Sequence, residues 1–230
     1  MKFLSQFKRL TKFELVLWLV SVAVVTASFL LTYSGNLLSL IASVIGVTAL
    51  IFVAKGMVIG QVLSVVFAAF YGIISLYFRY YGEVITYLGM TAPIAVMSVV
   101  SWIKNPYKDE KEVKVNVMGK KQVAIMLALS IIVTGAFYFI LKALGNASLF
   151  FSTLSVTTSF LASYLTFMRS PYYALAYAAN DVVLITLWII AAVQESGYTP
   201  MVMCFVMFLV NDLYGFINWQ KMKKRQLLNN

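Results

Sequence analysis

Apolar residues gather in long runs, at about Phe13 to Tyr33, Asn36 to Ala54, Met57 to Phe78, Glu83 to Ile103, Gln122 to Leu141, Ala147 to Met168, Pro171 to Val193 and Thr199 to Trp219. Each run reaches the roughly 20 residues a helix needs to cross a bilayer. The pattern predicts an all-α polytopic membrane protein with eight transmembrane helices. The connections are very short except for Lys104 to Lys121, where lysines mix with Asp109, Glu110 and Glu112. The first run follows a short basic tail and reads as an uncleaved anchor, since the core of a cleaved signal peptide is shorter.

Polar residues interrupt two of the runs. Asn180 and Asp181 lie in YYALAYAANDVVLITLW, and Asn211, Asp212, Tyr214, Asn218 and Trp219 lie in FVMFLVNDLYGFINWQK. An ionised Asp at mid-membrane costs about 3 kcal/mol on insertion scales, so it normally faces a bundle interior or a wet cavity. On a helix Asn211, Tyr214 and Asn218 fall on one stripe, and Tyr173, Tyr177 and Asn180 on another. The expectation is that the two stripes face each other across a small-molecule site.

Composition agrees with this reading. Of 230 residues 62% are hydrophobic and 11% charged, against about 45–50% and 25% in an ordinary globular domain. A single Cys204 excludes an intramolecular disulfide, and the lack of His beside it argues against a transition-metal site. Without His a Ser/His/Asp or Cys/His catalytic group cannot form. A membrane-embedded enzyme holding Mg²⁺ would want clustered carboxylates, whereas the Asp residues in the runs stand on different helices. No Gly-x-x-x-x-Gly-Lys-Ser/Thr loop is present, so the chain has no phosphate loop for ATP.

The net charge of +10 would suggest nucleic acid in a soluble protein. Here it reads as topology: with eight spans and a cytoplasmic N-terminus, all of the 18 Lys and Arg except Arg79 and Lys142 fall on the inside. Internal repetition adds to this. Asn36 to Lys104 and Asn146 to Lys221 each hold three spans, carry a basic residue in the first inside loop (Lys55; Arg169) and end in Trp-x-Lys. One intervening helix makes the two repeats parallel, which creates a central pathway. The expected segments are a tail and extra helix (1–35), a first three-helix bundle (36–104), a loop and linker helix (105–145), a second bundle (146–221) and a cytoplasmic tail (222–230).

Asn211-Asp-Leu-Tyr214-Gly215-Phe-Ile-Asn218-Trp219, with Tyr80-Tyr81-Gly82-Glu83 and the Ala54-Lys55-Gly56 turn, resembles the PnuC family of vitamin transporters, whose best-known substrate is nicotinamide riboside. The resemblance covers about Asn36 to Lys221. It implies a 3+1+3 arrangement like the sugar-transporting SWEET fold, with the first helix an N-terminal extra. It also implies facilitated diffusion of a vitamin nucleoside across a bacterial plasma membrane, both termini cytoplasmic, with trapping by a cytoplasmic kinase. No cofactor follows from it, the partners are the small molecule and the lipid bilayer and not nucleic acid, and a homo-oligomer is compatible with it. The chain departs from the family pattern at Ala95, Ser98, Val99 and at Tyr172, Tyr173, Ala174 and Tyr177. Loss of an amide donor and of Trp faces alters base recognition more than scaffold, which leaves a deoxynucleoside, thiamine or riboflavin open.

A nucleoside presents hydroxyls and a flat ring. Asn180, Asp181, Asn211, Asp212 and Asn218 suit the hydroxyls, and Tyr71, Tyr177, Tyr214 and Trp219 suit the ring; Gln61 is a further polar candidate. Each has a plainer reading. The Asn residues can be interhelical bonds worth about 0.6 kcal/mol. The Asp residues can pair with Arg169 or rim lysines. Trp102 and Trp219 read first as interfacial anchors, and Pro93 is the best hinge candidate.

Overall fold

The computed structural model describes residues 4–32, 37–77, 81–108, 112–146, 148–194 and 196–229. Lys2, Tyr33, Asn36, Arg79, Tyr80, Asp109, Glu110, Lys111 and Ala147, which bear on the expectations above, lie outside them. The chain forms α1 (Leu4–Phe7), α2 (Lys12–Thr32), α3 (Leu37–Ala54), α4 (Val58–Tyr77) and α5 (Tyr81–Val84). A π-wound turn (Ile85–Thr91) leads into α6 (Ala92–Ile103). After two-residue strands β1 (Pro106–Tyr107) and β2 (Glu112–Val113) come α7 (Lys120–Ala143), α8 (Leu149–Phe167), α9 (Tyr173–Gln194) and α10 (Thr199–Leu228).

Among the described residues 7 helices are long and apolar enough to cross a membrane; the apolar stretch of α4, Val58–Ile73, is shorter. The expected start at Glu83 and the observed Gly82–Ile103 span agree closely. The last span was expected to stop at Trp219, yet α10 runs on to Leu228. The extension has partners: Arg225 pairs with Glu112, and Gln226 accepts from Val115 N at 2.8 Å and donates to Val113 O at 3.1 Å.

Six helices, with the π turn that leads into α6, close into a ring. α3 packs on α4, α4 on the π turn and α6, α6 on α8, α8 on α9, α9 on α10, and α10 back on α3. α2 lies outside against α3 and α10, and α7 lies outside mainly against α8. The π turn falls just before Pro93, whose missing N–H and bulky ring disturb the preceding α-helical ladder; the Ala92 N–H bonds Tyr87 O, five residues back.

Turns at one end of the ring are built alike. Gly56 has φ +67° and Arg169 φ +56°, the left-handed conformation that ends a helix. Gly56 N bonds Val53 O at 2.8 Å and Met57 N bonds Phe52 O at 3.0 Å; Arg169 N bonds Thr166 O at 3.0 Å and Ser170 N bonds Leu165 O at 2.9 Å. Both turns return the chain sharply into the next helix. Glycine does so without strain, whereas Arg169 carries a Cβ penalty and is held by its Nη1 on Ser101 Oγ at 2.6 Å.

α2 docks through a polar stripe absent from the sequence expectations. Thr11 and Glu14 form a capping box, with Thr11 N to Glu14 Oε2 at 2.6 Å and Glu14 N to Thr11 Oγ1 at 3.3 Å. Glu14 is 1% exposed. It accepts from Lys55 Nζ at 2.8 Å and from Tyr214 Oη at 2.6 Å. Trp18 Nε1 reaches Thr48 Oγ1 at 3.0 Å, while Val25 and Phe29 pack with Val47, Leu184, Phe205 and Phe208. Removing one partner of a buried pair costs about 3–5 kcal/mol when the other charge is left stranded. Lys55 is partly exposed, so Glu14→Ala should lower stability by about 2–3 kcal/mol, read by denaturation in detergent. Pairing it with Lys55→Met should recover part of the loss.

Candidate functional site

The ring encloses a cavity of about 90 Å³, measured over the positions a water centre can take, where one water needs about 10–15 Å³. Its wall comes from α3 (Gly46, Ala49, Leu50, Val53), α4 (Gln61, Ser64, Phe67), the π turn and α6 (Tyr87, Thr91, Ala95, Ser98), α8 (Ser159, Ser163, Thr166), α9 (Tyr173, Tyr177, Asn180, Asp181, Leu184) and α10 (Phe205, Phe208, Asp212). Neither α2 nor α7 contributes a lining residue.

The two sides of this wall differ chemically. α3 presents Gly46, Leu50 and Val53, and α8 presents Ser159, Ser163 and Thr166 at the same spacing of four and three residues. That hydroxyl stripe lies in the sequence at helical spacing and is the signal that would have added these residues to the expected site. The carboxylates, Asp181 and Asp212, stand on α9 and α10, and no Lys or Arg lines the cavity. Neither Asp pairs with Arg169 or another basic residue among the described residues. The cavity therefore presents two carboxyl groups with no Lys or Arg beside them, a setting that suits hydroxyl-rich or cationic ligands.

Of the expected residues, Gln61, Tyr177, Asn180, Asp181 and Asp212 line the cavity. Asn180 Oδ1 accepts from Thr158 Oγ1 at 2.8 Å and Ser159 Oγ at 3.0 Å, and the Tyr177 hydroxyl meets Ser163 Oγ at 3.2 Å. Asp181 is 2% exposed, and its Oδ2 has no hydrogen-bond partner. Tyr71 is buried behind the wall, its ring 4.4 Å from that of Tyr87 and 5.7 Å from that of Phe67.

The stripe expected to face across the cavity turns the other way. Asn211 Nδ2 donates to Ser21 Oγ on α2 at 2.8 Å, Tyr214 donates to Glu14, and Asn218 Nδ2 donates to Ala54 O at 2.7 Å. These side chains face the neighbours α2 and α3 because α10 is wrapped on both flanks. Asp212, one residue and about 100° further round the helix, is the one that enters the cavity.

Trp219 is no interfacial anchor. It is fully buried, donates from Nε1 to Val53 O at 3.0 Å, and sits 5.4 Å from Trp102 and 4.8 Å from Tyr173, ring centre to ring centre. Trp102 donates in the same way to Thr166 O at 3.0 Å. The bond from Asn218 to Ala54 O likewise has a counterpart in Ser101 Oγ to Phe167 O at 2.9 Å. Around the tryptophans Val53, Val113, Tyr173, Ala174 and Met222 form a buried cluster, so this end of the ring is plugged. The segment after α6 crosses the same end: Val113 N bonds Gly56 O at 2.9 Å and Asn116 N bonds Arg169 O at 3.0 Å.

A family model described as nicotinamide mononucleotide transporter matches residues 36–221. A protein of Neisseria mucosa called nicotinamide riboside transporter PnuC is 27% identical over 220 residues, covering 94% of this chain and 83% of that protein. A protein of the same name from Haemophilus influenzae is 23% identical over 191 residues, covering 82% and 81%. A crystal structure of the vitamin B3 transporter PnuC superposes with a TM-score of 0.81 at 27% identity, over 98% of this chain and 100% of that one.

Trp102→Phe and Trp219→Phe each delete one buried N–H donor and leave Thr166 O or Val53 O with only its backbone partner. Each should destabilise the protein by about 1–3 kcal/mol. Because the rings touch, the double variant should depart from the sum of the two, a coupling that chemical denaturation of all three variants measures.

Proposed function

The chain belongs to the PnuC, or nicotinamide mononucleotide transporter, family, and from that premise we propose that it carries nicotinamide riboside or a closely related vitamin nucleoside into the cell. The observation that carries the proposal is the cavity itself. Three consecutive membrane segments from each half of the chain converge on one space in which Gln61, Tyr177, Asn180, Asp181 and Asp212 meet. Hydroxyl groups of a ribose find an acceptor in Asp212, and a pyridinium ring finds the aromatic faces of Tyr177, Phe67 and Phe208. Asn211, Tyr214, Asn218, Trp219 and Tyr71 support this wall from behind.

The architecture we propose is eight spans, with α4 the eighth, in a 3+1+3 parallel repeat of the SWEET type plus an extra first helix. Support comes from the matched turns at Gly56 and Arg169 and from the matched tryptophan bonds to Val53 and Thr166. The segments would be 1–35, 36–104, 105–145, 146–221 and 222–230. The plugged end gathers Lys55, Lys104, Lys114, Arg169 and Arg225, which supports a cytoplasmic position for it and for both termini in a bacterial inner membrane. Movement is by facilitated diffusion, as the family resemblance implies, and phosphorylation inside the cell traps the product. A homo-oligomer is compatible with the exposed apolar outer faces.

One observation favours a second reading of the cargo. Ala95, Ser98, Tyr173 and Tyr177, where the chain departs from the family pattern, all line the cavity. The same fold would then carry another nucleoside, thiamine or riboflavin.

Purified chain in liposomes should take up radiolabelled nicotinamide riboside until inside and outside concentrations match; accumulation beyond that point, or no saturable uptake, counts against the proposal. Asp212→Asn should raise KM by about tenfold or more, as loss of one charged hydrogen bond predicts. Pro93→Ala, which restores the helical ladder after the π turn, should lower the transport rate more than the binding affinity. Equal loss of both would count against a hinge there.

A further inference from the structure

Ser159 is the residue that decides which way the Asn180 amide points. Both Ser159 Oγ and Thr158 Oγ1 lie within hydrogen-bond distance of Asn180 Oδ1. The Thr158 hydroxyl also reaches Leu154 O at 3.0 Å and Ser155 O at 3.1 Å, and it has only one proton to give. The Ser159 hydroxyl has no such rival acceptor among the described residues, so it holds the amide oxygen against α8. The amide NH₂ is then left as the free end of a side chain that lines the cavity.

Beside it on α9 is Asp181, also lining the cavity and 2% exposed, with Oδ2 buried and unpartnered. A donor and an acceptor from successive positions of α9 that line one cavity can together complement one chemical group, a carbonyl oxygen adjacent to an N–H. A diol alone would use the acceptor and leave the donor unmet. We propose that Ser159 is a positioning residue that orients Asn180 so that Asn180 and Asp181 together read the amide edge of a ligand, the Asn180 NH₂ donating to its carbonyl and the Asp181 carboxylate accepting from its N–H.

This deepens the transport reading above and rests on it. Two ligand classes carry the edge: a primary carboxamide, as in nicotinamide riboside, and a cyclic imide, as in thymidine. Specificity then depends on a buried acceptor that is left unpaired by any ligand lacking the N–H, the situation in which a polar site discriminates most strongly. The first half of the chain offers no equivalent. Gly46 and Phe67 occupy the places in α3 and α4 that Ser159 and Asn180 occupy in α8 and α9, counted from the matched turns at Gly56 and Arg169.

The test is calorimetric binding to the purified full chain of four ligands: nicotinamide riboside, its N,N-dimethylcarboxamide analogue, thymidine and N3-methylthymidine. Whichever parent binds should do so about tenfold to a hundredfold more tightly than its methylated form, and the parent that binds identifies carboxamide or imide as the source of the edge. Ser159→Ala should weaken the parent and leave the methylated form unchanged, so that the ratio collapses; Ser159→Thr, which keeps the hydroxyl, should restore it. Asn180→Asp, which retains an acceptor for both hydroxyls but loses the NH₂, should weaken the parent at least as much as Ser159→Ala. Parent and methylated forms bound equally by the wild-type chain would overturn the proposal, as would a Ser159→Ala variant that loses both in proportion. Uptake of a nucleoside lacking the edge would overturn the proposal while leaving the transport reading standing, whereas failure of every nucleoside to bind or be taken up would defeat that reading and the proposal with it.

Discussion

Within the thickness of a bilayer there is no bulk water to satisfy a polar group, so each one must find its partner in the protein or in something the protein binds. Two sets of buried polar side chains stand out under this constraint, beside Asn211 Oδ1 and Tyr107 Oη, which are buried without a partner away from the cavity. One set is fully committed: Glu14 to Lys55 and Tyr214, Asn218 to Ala54, and the two tryptophans to the carbonyls that end α3 and α8. The other set, around Asp181, has capacity left over and lines a cavity. The first set holds the ring of helices together, and the second is the one we propose a ligand completes.

The committed groups also explain the geometry of the plugged end. Trp102, in the last turn of α6, and Trp219, in α10, each reach to a helix end of the opposite half, so the two halves are tied by reciprocal bonds. The strand segment Glu112–Val113 lies over this junction and is fastened to Gly56 and to the extended end of α10. A rocking movement that opens this end must break these bonds together, while the π turn before Pro93 supplies a place where the wall is already irregular.

Much of the architecture was legible because long apolar runs and the placement of Lys and Arg follow directly from transfer energetics. The site was only half legible. Helical spacing grouped Asn211, Tyr214 and Asn218 correctly on one stripe, but spacing cannot say what a stripe faces. The direction was set by α2, whose Glu14 and Ser21 look in the sequence like minor interruptions of an anchor and prove to be the partners of that stripe. Asn180 and Asp181 do line the cavity, on the face of α9 that packs toward α8 and α10. Ser159, Ser163 and Thr166 were missed because a hydroxyl can return its bond to its own backbone and so gives a weak signal of a polar face, even where three fall at helical spacing.

The central claim is that both halves of the chain wall one cavity and that the cargo sits there. Single cysteines at Leu50 in α3 and Ser163 in α8, placed in a Cys204→Ala background, test it through their rate of reaction with a small methanethiosulfonate reagent. Saturating nicotinamide riboside should slow modification at both positions by a similar factor. Protection at neither, or at one alone, would contradict a shared cavity as the place of binding.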